Sequence, residues 1–397
     1  MARGDTHHDL MLEQAWAEFC DRLKAAGDLV FRDPAPSTPL ERSAGFQYLA
    51  RNISFGLDVG LEHSDPLFPQ LFRVFTPTRK WGGDNPDCLY LSAAIDGEHS
   101  YRIVGNRGSV HFVSFSVLRR TQDVKPGGSS QIGLLLGHEL RTEWDGSFQI
   151  ILGPERQPGN WIPTAPDAHE LLIRQFFGDW EHEEPMTLRI ERTGADGPPP
   201  APTPERLAVG LRGASEFLTA NTALWRDWQE RYRARPNTFI SSATQKMFGA
   251  TPGGTILHCY WQVQPDEALL IEFTPPKHFY YWEFELNDYW MCSIDYRYHL
   301  SSVNSKQAVM EEDGSVRVVV AHSDPGVPNW MGTDGHCEGH IGLRWMQCDE
   351  TPTPAARIVK LADLPAILPA SAHRFTPAER SEQLRRRKIG VDRRFRT

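Results

Sequence analysis

No apolar run in this sequence approaches the roughly 20 residues that cross a bilayer, so a membrane-spanning helix is not expected. There is no excess of positive charge either. Forty-two Lys and Arg stand against 51 Asp and Glu, a formal net charge of -9, which argues against a nucleic-acid partner because phosphate contacts need a basic surface. Cys-x-x-Cys is absent, and the six cysteines (Cys20, Cys88, Cys259, Cys292, Cys337, Cys348) are scattered. That pattern fits reduced thiols better than a disulfide framework or a zinc site. The first residues, MARGDTHHDLMLEQAW, are charged and carry no uninterrupted apolar stretch, so no secretory signal is read and a cytoplasmic location is expected. Also missing are Gly-x-Ser-x-Gly, His-Glu-x-x-His, a Gly-x-Gly-x-x-Gly after a strand, and a phosphate-binding P-loop. Ordinary α/β hydrolases, zincins, Rossmann oxidoreductases and P-loop enzymes are thereby disfavoured, and no cofactor is expected.

What the sequence does have is turns and aromatics. Its 397 residues include 32 Gly, 30 Pro, 20 Phe and 12 Trp, a composition that suits short strands better than a helix bundle. It also repeats itself. Asp145-Gly146-Ser147 leads FQIIL and then Asn160-Trp161; Asp313-Gly314-Ser315 leads VRVVV and then Asn329-Trp330, with Gly-to-Asn spacings of 14 and 15. Thr164 and Arg174 follow the first Asn-Trp, and Thr333 and Arg344 follow the second. Upstream, Asp87 to His99 and Asp266 to His278 are both 12 residues apart, and Tyr101 and Tyr280 close the two segments. A collinear series with matched gaps reads as an internal duplication. SVHFVSFSVL, ALLIEF, YYWEFEL, WMCSIDY and VRVVVA read as strands, separated by turn signals that include Pro126-Gly127-Gly128, Asn287-Asp288 and Asp313-Gly314.

The expected fold is mainly β with helical additions: two related antiparallel jelly-roll or sandwich domains, joined by a helical insert and preceded by helices. The boundaries are 1–83 for the N-terminal helices, 84–192 for the first β domain, 193–252 for a proline-rich linker and helical insert, 253–365 for the second β domain, and 366–397 for a basic tail. In the insert, Thr203 offers an N-cap with Pro204 at the first helical position, and the helical spacing runs to about residue 233. From Arg374 onward nine Lys/Arg face three Asp/Glu. This reads as a tail lying on the protein's own acidic body rather than a docking arm for a partner.

YLSAAIDGEHSYRIVGNRGS in the first half and DPGVPNWMGTDGHCEGHIGLRW in the second resemble a bacterial family known as domain of unknown function 1214. The resemblance covers most of residues 80–350. It implies tandem jelly-roll-like β domains with inserted helices and brings no reaction.

Three constellations carry chemistry. Extended backbone would point His336, Glu338 and His340 to one side, a set able to hold a divalent metal. The absence of this pattern from the first copy weighs against it. Asn329, Trp330, Thr333, His336 and Arg344 would gather at a loop, with His336 as acid or base and Arg344 as anion holder. Asn160, Trp161, Thr164 and Arg174 repeat most of these types, which favours turn packing over catalysis for the Asn-Trp pairs. Finally, His278, Tyr280, Tyr281, Trp282, Glu283, Glu285, Trp290, Asp295, Arg297 and His299 lie in two runs that flank the Asn287-Asp288 turn. They make either a pocket wall or a packed core with cross-strand ion pairs.

The leading expectation is an enzyme of cofactor-free isomerase, lyase or hydrolase type. It would hold a small apolar or aromatic metabolite in an aromatic-lined pocket of the second β domain, with His336, Arg344, Tyr280 and Tyr281 as catalytic groups. The alternatives are a non-catalytic ligand-binding or assembly module, for which a homo-oligomer would be the partner, and a metal-dependent enzyme using the His/Glu/His cluster.

Overall fold

The structure is a computed structural model that describes residues 6–120, 129–195, 197–241, 253–369 and 372–396. The turn expected at 126–128 lies outside the described residues. Three helices come first: α1 (Thr6–Ala26), α2 (Asp28–Phe31) and α3 (Pro39–Leu57). The first β domain follows with β1 (Phe72–Arg73), β2 (Cys88–Ala94), β3 (Tyr101–Asn106), β4 (Phe112–Arg120), β5 (Ser129–Leu136), β6 (Ser147–Gly153), β7 (Asn160–Pro163), β8 (Ala168–Phe176) and β9 (Thr187–Arg192). Helix α4 (Pro204–Arg233) then leads to the second β domain: β10 (Ile240–Ser241), β11 (Gly254–Gln262), β12 (Glu267–Phe273), β13 (Tyr281–Asp288), β14 (Ser302–Asn304), β15 (Val316–Ala321), β16 (Trp330–Gly332), β17 (Glu338–Met346) and β18 (Ala355–Lys360). A short α5 (Leu364–Ile367) and the long α6 (Pro377–Phe395) end the described chain.

The two β domains share one topology. In the first, a five-stranded sheet β1-β2-β8-β4-β5 stacks on a four-stranded sheet β7-β6-β3-β9; in the second, β10-β11-β17-β13-β14 stacks on β16-β15-β12-β18. Alternation explains the stacking. Val113, Phe115 and Val117 of β4 point with Ile173 of β8 into a core that Ile103, Ile150 and Leu152 complete from the other sheet. Trp282, Phe284 and Leu286 of β13 do the same with Leu269, Val318 and Trp345 in the second domain. Each fully buried side chain of this kind stabilises by about 1.5–3 kcal/mol.

The duplicated turn signals behave alike. Gly146 and Gly314 have φ of 80° and 81°, a left-handed conformation suited to glycine, and Ser147 and Ser315 each donate N–H to the preceding aspartate at 2.9 Å. The Asn-Trp pairs match too. The Asn160 amide donates to the carbonyls of Arg141 and Gln149 and accepts from the N–H of Arg141; Asn329 makes the same three bonds with Val309 and Arg317.

These asparagines sit where each smaller sheet departs from the antiparallel expectation, because β6 pairs with β7 and β15 with β16 in parallel. The amide supplies bonds to the backbone where the chain crosses over. Another expectation fails in detail. Asp87 precedes β2 while Asp266 lies in the turn between β11 and β12, so the equal spacings to His99 and His278 do not mark equivalent positions. Nor is WMCSIDY a strand: Asn287 and Asp288 end β13, and a long connection runs to β14 because Asp288 accepts the N–H groups of Trp290 and Cys292. The edge strands β1 and β10 also fall outside the bounds drawn for the two β domains.

Thr203 caps α4 by accepting from the N–H of Arg206, with Pro204 in the first turn. The basic tail is a helix closed by a capping box between Thr376 and Glu379. It lies along the protein's own body and contributes Val391 and Phe395 to the first domain's core.

Candidate functional site

Each five-stranded sheet buries one face in its own domain; the opposite faces meet each other. Phe112 and Phe176 of the first sheet join Tyr281 and Met346 of the second in one apolar cluster. These are matched positions, since Phe112 pairs with Phe176 across β4 and β8 as Tyr281 pairs with Met346 across β13 and β17. The two copies are therefore related by a pseudo-twofold between the sheets. Beside this cluster the sheets separate, and α4 roofs a cavity of about 1410 Å³.

Most of its wall is apolar, with Trp81, Phe75, Phe72, Phe217 and Trp225 prominent. The facing sheets contribute Tyr90, Glu170, Arg174 and Arg120 from the first and His258, Glu285, His340 and Arg344 from the second, while Arg22 of α1 and Glu216, Asn221 and Asp227 of α4 add polar groups from the helices. Arg174 and Arg344 hold equivalent places on the central strands β8 and β17. Arg174 lies between Tyr90 and Ser114; Arg344 lies between Ile256 and Glu283. Duplication has thus built one composite site from two copies.

Around Arg344 the chemistry is dense. Its Nη1 donates to Glu283 at 2.6 Å and to Glu285, and its Nη2 donates to the carbonyl of Gly83 at 3.3 Å. Asn85 also donates to Glu283. Burial raises both carboxyls, and the neighbouring Glu285 raises Glu283 further, while Arg344 draws both back down. Glu285 is pushed up to about 7.

Glu285 and His258 lie on either side of Gly342 in one cross-strand row. A Cβ at Gly342 would come within 2.7 Å of a Glu285 oxygen, so the glycine is what lets this carboxyl lean over the central strand toward His258.

His258 Nδ1 is 2.9 Å from His340 Nε2, so one N–H lies between two imidazoles. Burial holds both neutral: His258 falls well below its usual pKa and His340 falls to about 3. Trp228 meets His258 edge-on at 5.0 Å, and Tyr232 lies 5.1 Å from it. His340 Nδ1 is buried without a hydrogen-bond partner among the described residues.

The residues singled out from sequence are dispersed. Arg344 is in the cavity wall. His336 is not: its Nδ1 is 2.8 Å from Glu41 of α3, and against the lowering by burial this bond and the charges of Asp288, Glu41 and Asp334 together raise its pKa. Tyr281 donates its hydroxyl to buried Asp87, which also accepts from Trp180 and Asn304 at the domain junction. Tyr280 is exposed, stacks on His111 at 4.4 Å and donates to its carbonyl. Trp282 is core. Trp290 donates to the Glu41 carbonyl, and Trp330 donates to the Ala321 carbonyl beneath the Arg380 guanidinium.

Asp295 accepts the N–H of Arg297, Arg297 pairs with Asp392 at 3.3 Å, and His299 lies 3.6 Å from Asp334. The three candidate metal ligands separate. Glu338 accepts from Tyr260 and Gln262, His340 faces His258, and His336 faces Glu41. Among the described residues no three His, Cys, Asp or Glu groups converge as a metal site. His258 and Tyr90 went unselected in the sequence. The available signal was the alternation His258, Tyr260, Gln262, which puts polar groups on one face of an otherwise apolar strand.

Tandem two-sheet β domains enclosing a cavity at their junction define the class. Residues 91–178 and 264–349 match the model of a family described as "Protein of unknown function (DUF1214)". The crystal structure of an uncharacterised protein from Burkholderia cenocepacia is 37% identical, covers 89% of this chain and 99% of its own, and superposes with a TM-score of 0.86. The chain belongs to the DUF1214 family. A Vibrio parahaemolyticus protein of known structure is 12% identical over 79% of this chain and 99% of its own, with a TM-score of 0.45. No curated protein matches the chain. No described helix is long and apolar enough to cross a membrane.

Proposed function

We propose that this protein is an enzyme that encloses a small, largely apolar molecule in the cavity between its β domains and performs proton-transfer chemistry on it. The observation that carries the reading is a large, mainly apolar cavity whose wall holds a buried carboxyl, Glu285, bonded to Arg344 and pushed by burial up to about 7. Apolar walls with a few convergent polar groups suit a ligand site, and an acid-base catalyst works best when its pKa lies near the working pH. Glu285 is the proton-exchanging group in this reading. Arg344 and Glu283 bear on its protonation, and neutral His258 lies across Gly342 in the same cross-strand row as a polar contact for the ligand. Isomerase, lyase and hydrolase reactions all draw on such a carboxyl.

Native mass spectrometry of the purified protein should reveal a retained organic compound, and that compound should be turned over. Glu285→Gln should keep binding it while losing at least about 100-fold in turnover, the usual contribution of a general acid or base. Full turnover in Glu285→Gln would defeat the acid-base assignment. A compound that is retained but never converted would favour a non-catalytic binding module instead.

A further inference from the structure

Matched rows of the two facing sheets hold different residues. Across β13, β17 and β11 one row reads Glu285, Gly342, His258; the equivalent row across β4, β8 and β2 reads Ser116, Leu172, Ser92. His340 likewise matches Glu170, which accepts from Ser92 at 2.7 Å. An acid, a gap and an imidazole are thus collected in one row of one copy, where the other copy has two serines and a leucine.

Glu285 and His258 each present one atom. Arg344 holds Oε2 of Glu285, and Oε1 is the oxygen that a Cβ at Gly342 would meet at 2.7 Å. Oε1 therefore lies over the central strand, one strand spacing of about 4.8 Å from the strand of His258. His258 lines the cavity and spends Nδ1 on His340, which leaves Nε2 for an occupant. The tautomer follows from His340. Its Nδ1 is buried with no partner among the described residues, and an orphaned N–H in such a place is rarer than an orphaned acceptor. The His340 proton accordingly sits on Nε2 and is donated to His258 Nδ1, so His258 carries its own proton on Nε2. Burial, with Arg344 adding to it, keeps both rings uncharged.

From this row we infer that the occupant is an enolisable carbonyl compound: Glu285 Oε1 takes the proton from the carbon beside the carbonyl, and His258 Nε2–H holds the carbonyl oxygen. This deepens the proposed function and rests on its reading of the cavity and of Glu285. The C–H bond breaks and its proton goes to Glu285. The electron pair left behind forms the C=C bond of an enolate, and the carbonyl π pair moves onto oxygen. There the imidazole N–H meets the growing charge, in a site where a fixed donor counts for more than in water. Return of the proton from Glu285 to carbon restores a carbonyl compound, so the step balances without a cofactor. Among the described residues the cavity lining includes no Lys or Cys, so no amine or thiol is at hand for a covalent adduct with the carbonyl carbon. Elsewhere in the lining Arg22, Arg120 and Arg174 stand with Glu170, Glu216 and Asp227. With charges of both signs present, the occupant is defined by its carbonyl and not by a net charge.

The test uses the full chain in heavy water with 4-phenylbutan-2-one and 2-octanone, each beside its alcohol, and the wall tryptophans as fluorescence reporter of binding. NMR should show the ketones exchanging hydrogen for deuterium beside the carbonyl at least about 100-fold faster than in buffer. Glu285→Gln should lose that exchange. His258→Ala should slow it by about 100-fold, the loss expected of one donor to a growing oxyanion. It should also return the infrared carbonyl stretch of the bound ketone toward its value in an apolar solvent, a change that a merely structural role would not produce. Both variants should bind the alcohols within about 10-fold of the unaltered protein, the range of one neutral hydrogen bond, which shows that they are folded. Ketones that bind without exchanging faster than in buffer would overturn the carbonyl assignment and leave the proposed function standing. Exchange and carbonyl stretch unmoved in His258→Ala would remove His258 from the reaction. Exchange undiminished in Glu285→Gln would defeat the acid-base role on which both readings rest. No binding of any of the four compounds at about 1 mM would overturn the cavity reading, and the inference with it.

Discussion

Glu285 and the His258–His340 pair are buried together, yet burial acts on them with opposite sign. A carboxyl becomes charged on deprotonation and burial disfavours the charged form, so burial raises Glu285 from the 4.5 of an exposed glutamate to about 7. Between those values the folded protein keeps a proton that the unfolded chain has released, and stability declines as pH rises from about 4.5 to 7. The histidines behave in reverse. Their folded pKa values lie below 6.5, so they contribute stability above that value that is lost as pH falls toward 3. The two effects oppose one another in the unaltered protein, which makes the variant the informative measurement. Glu285→Gln should gain thermal stability relative to the unaltered protein as pH is raised from 5 to 8, by at most about 1.4 kcal/mol per pH unit. A constant difference across that range would mean that Glu285 does not titrate there. Asn160 and Asn329 provide the contrasting case at this scale. Each makes three backbone hydrogen bonds and neither lines the cavity, so Asn160→Ala or Asn329→Ala should each cost about 2–4 kcal/mol in denaturant unfolding.

Among the elements, α6 binds the two domains together through three buried arginines spaced seven residues apart. Arg380 pairs with Asp324 at 2.9 Å, Arg387 donates to the Tyr296 carbonyl and to the Ser302 hydroxyl, and Arg394 donates to the Pro86 carbonyl. Arg387 and Arg394 both stack on Trp180, at 4.2 and 4.3 Å. The surplus of basic residues was legible in the sequence, and so was their place on the protein's own body. Their main partners were not. These are carbonyls and an indole ring at the domain junction, groups that a count of acidic residues does not find. Ending the chain after Phe375 would uncover Trp180 and remove Val391 and Phe395 from the first core. Calorimetry should then show a midpoint lowered by more than about 5 °C, since the two lost side chains alone amount to several kcal/mol. An unchanged midpoint would show that the helix adds nothing to the union of the domains.

At the scale of the molecule, the duplication in the sequence implies two like domains joined by a helical insert, without their relative placement, and a residue type found in both copies weighs toward packing. The structure sets the copies face to face. Arg174 and Arg344 repeat because both line one cavity, while Asn160 and Asn329 repeat because each ties down its own backbone. Sequence alone treats these two cases identically. A first copy expressed alone as residues 72–192 would expose Phe112, Phe176 and Arg174 on one sheet face, and it should prove insoluble or partly folded by circular dichroism and gel filtration. A soluble, cooperatively folding fragment would show that the facing sheets are not needed for stability.

Local chemistry determined much of this protein by itself. Alternation placed β4, β6, β12, β13 and β15, Asp-Gly-Ser marked the turns, Thr203 and Pro204 began α4, and the repeated series announced two like domains, because each of these depends on neighbours within a few residues. Only the tertiary structure decided the rest. Alternation says which side chains share a face of a strand, but not whether that face meets its own domain's core, the other copy or a cavity. Hence Trp282 went to a core, His336 to a helix at residue 41, and Arg344, with Glu285 and His258, to the space between the sheets. The protonation of those groups follows from burial, a property of the assembled sheets that no short stretch of chain contains.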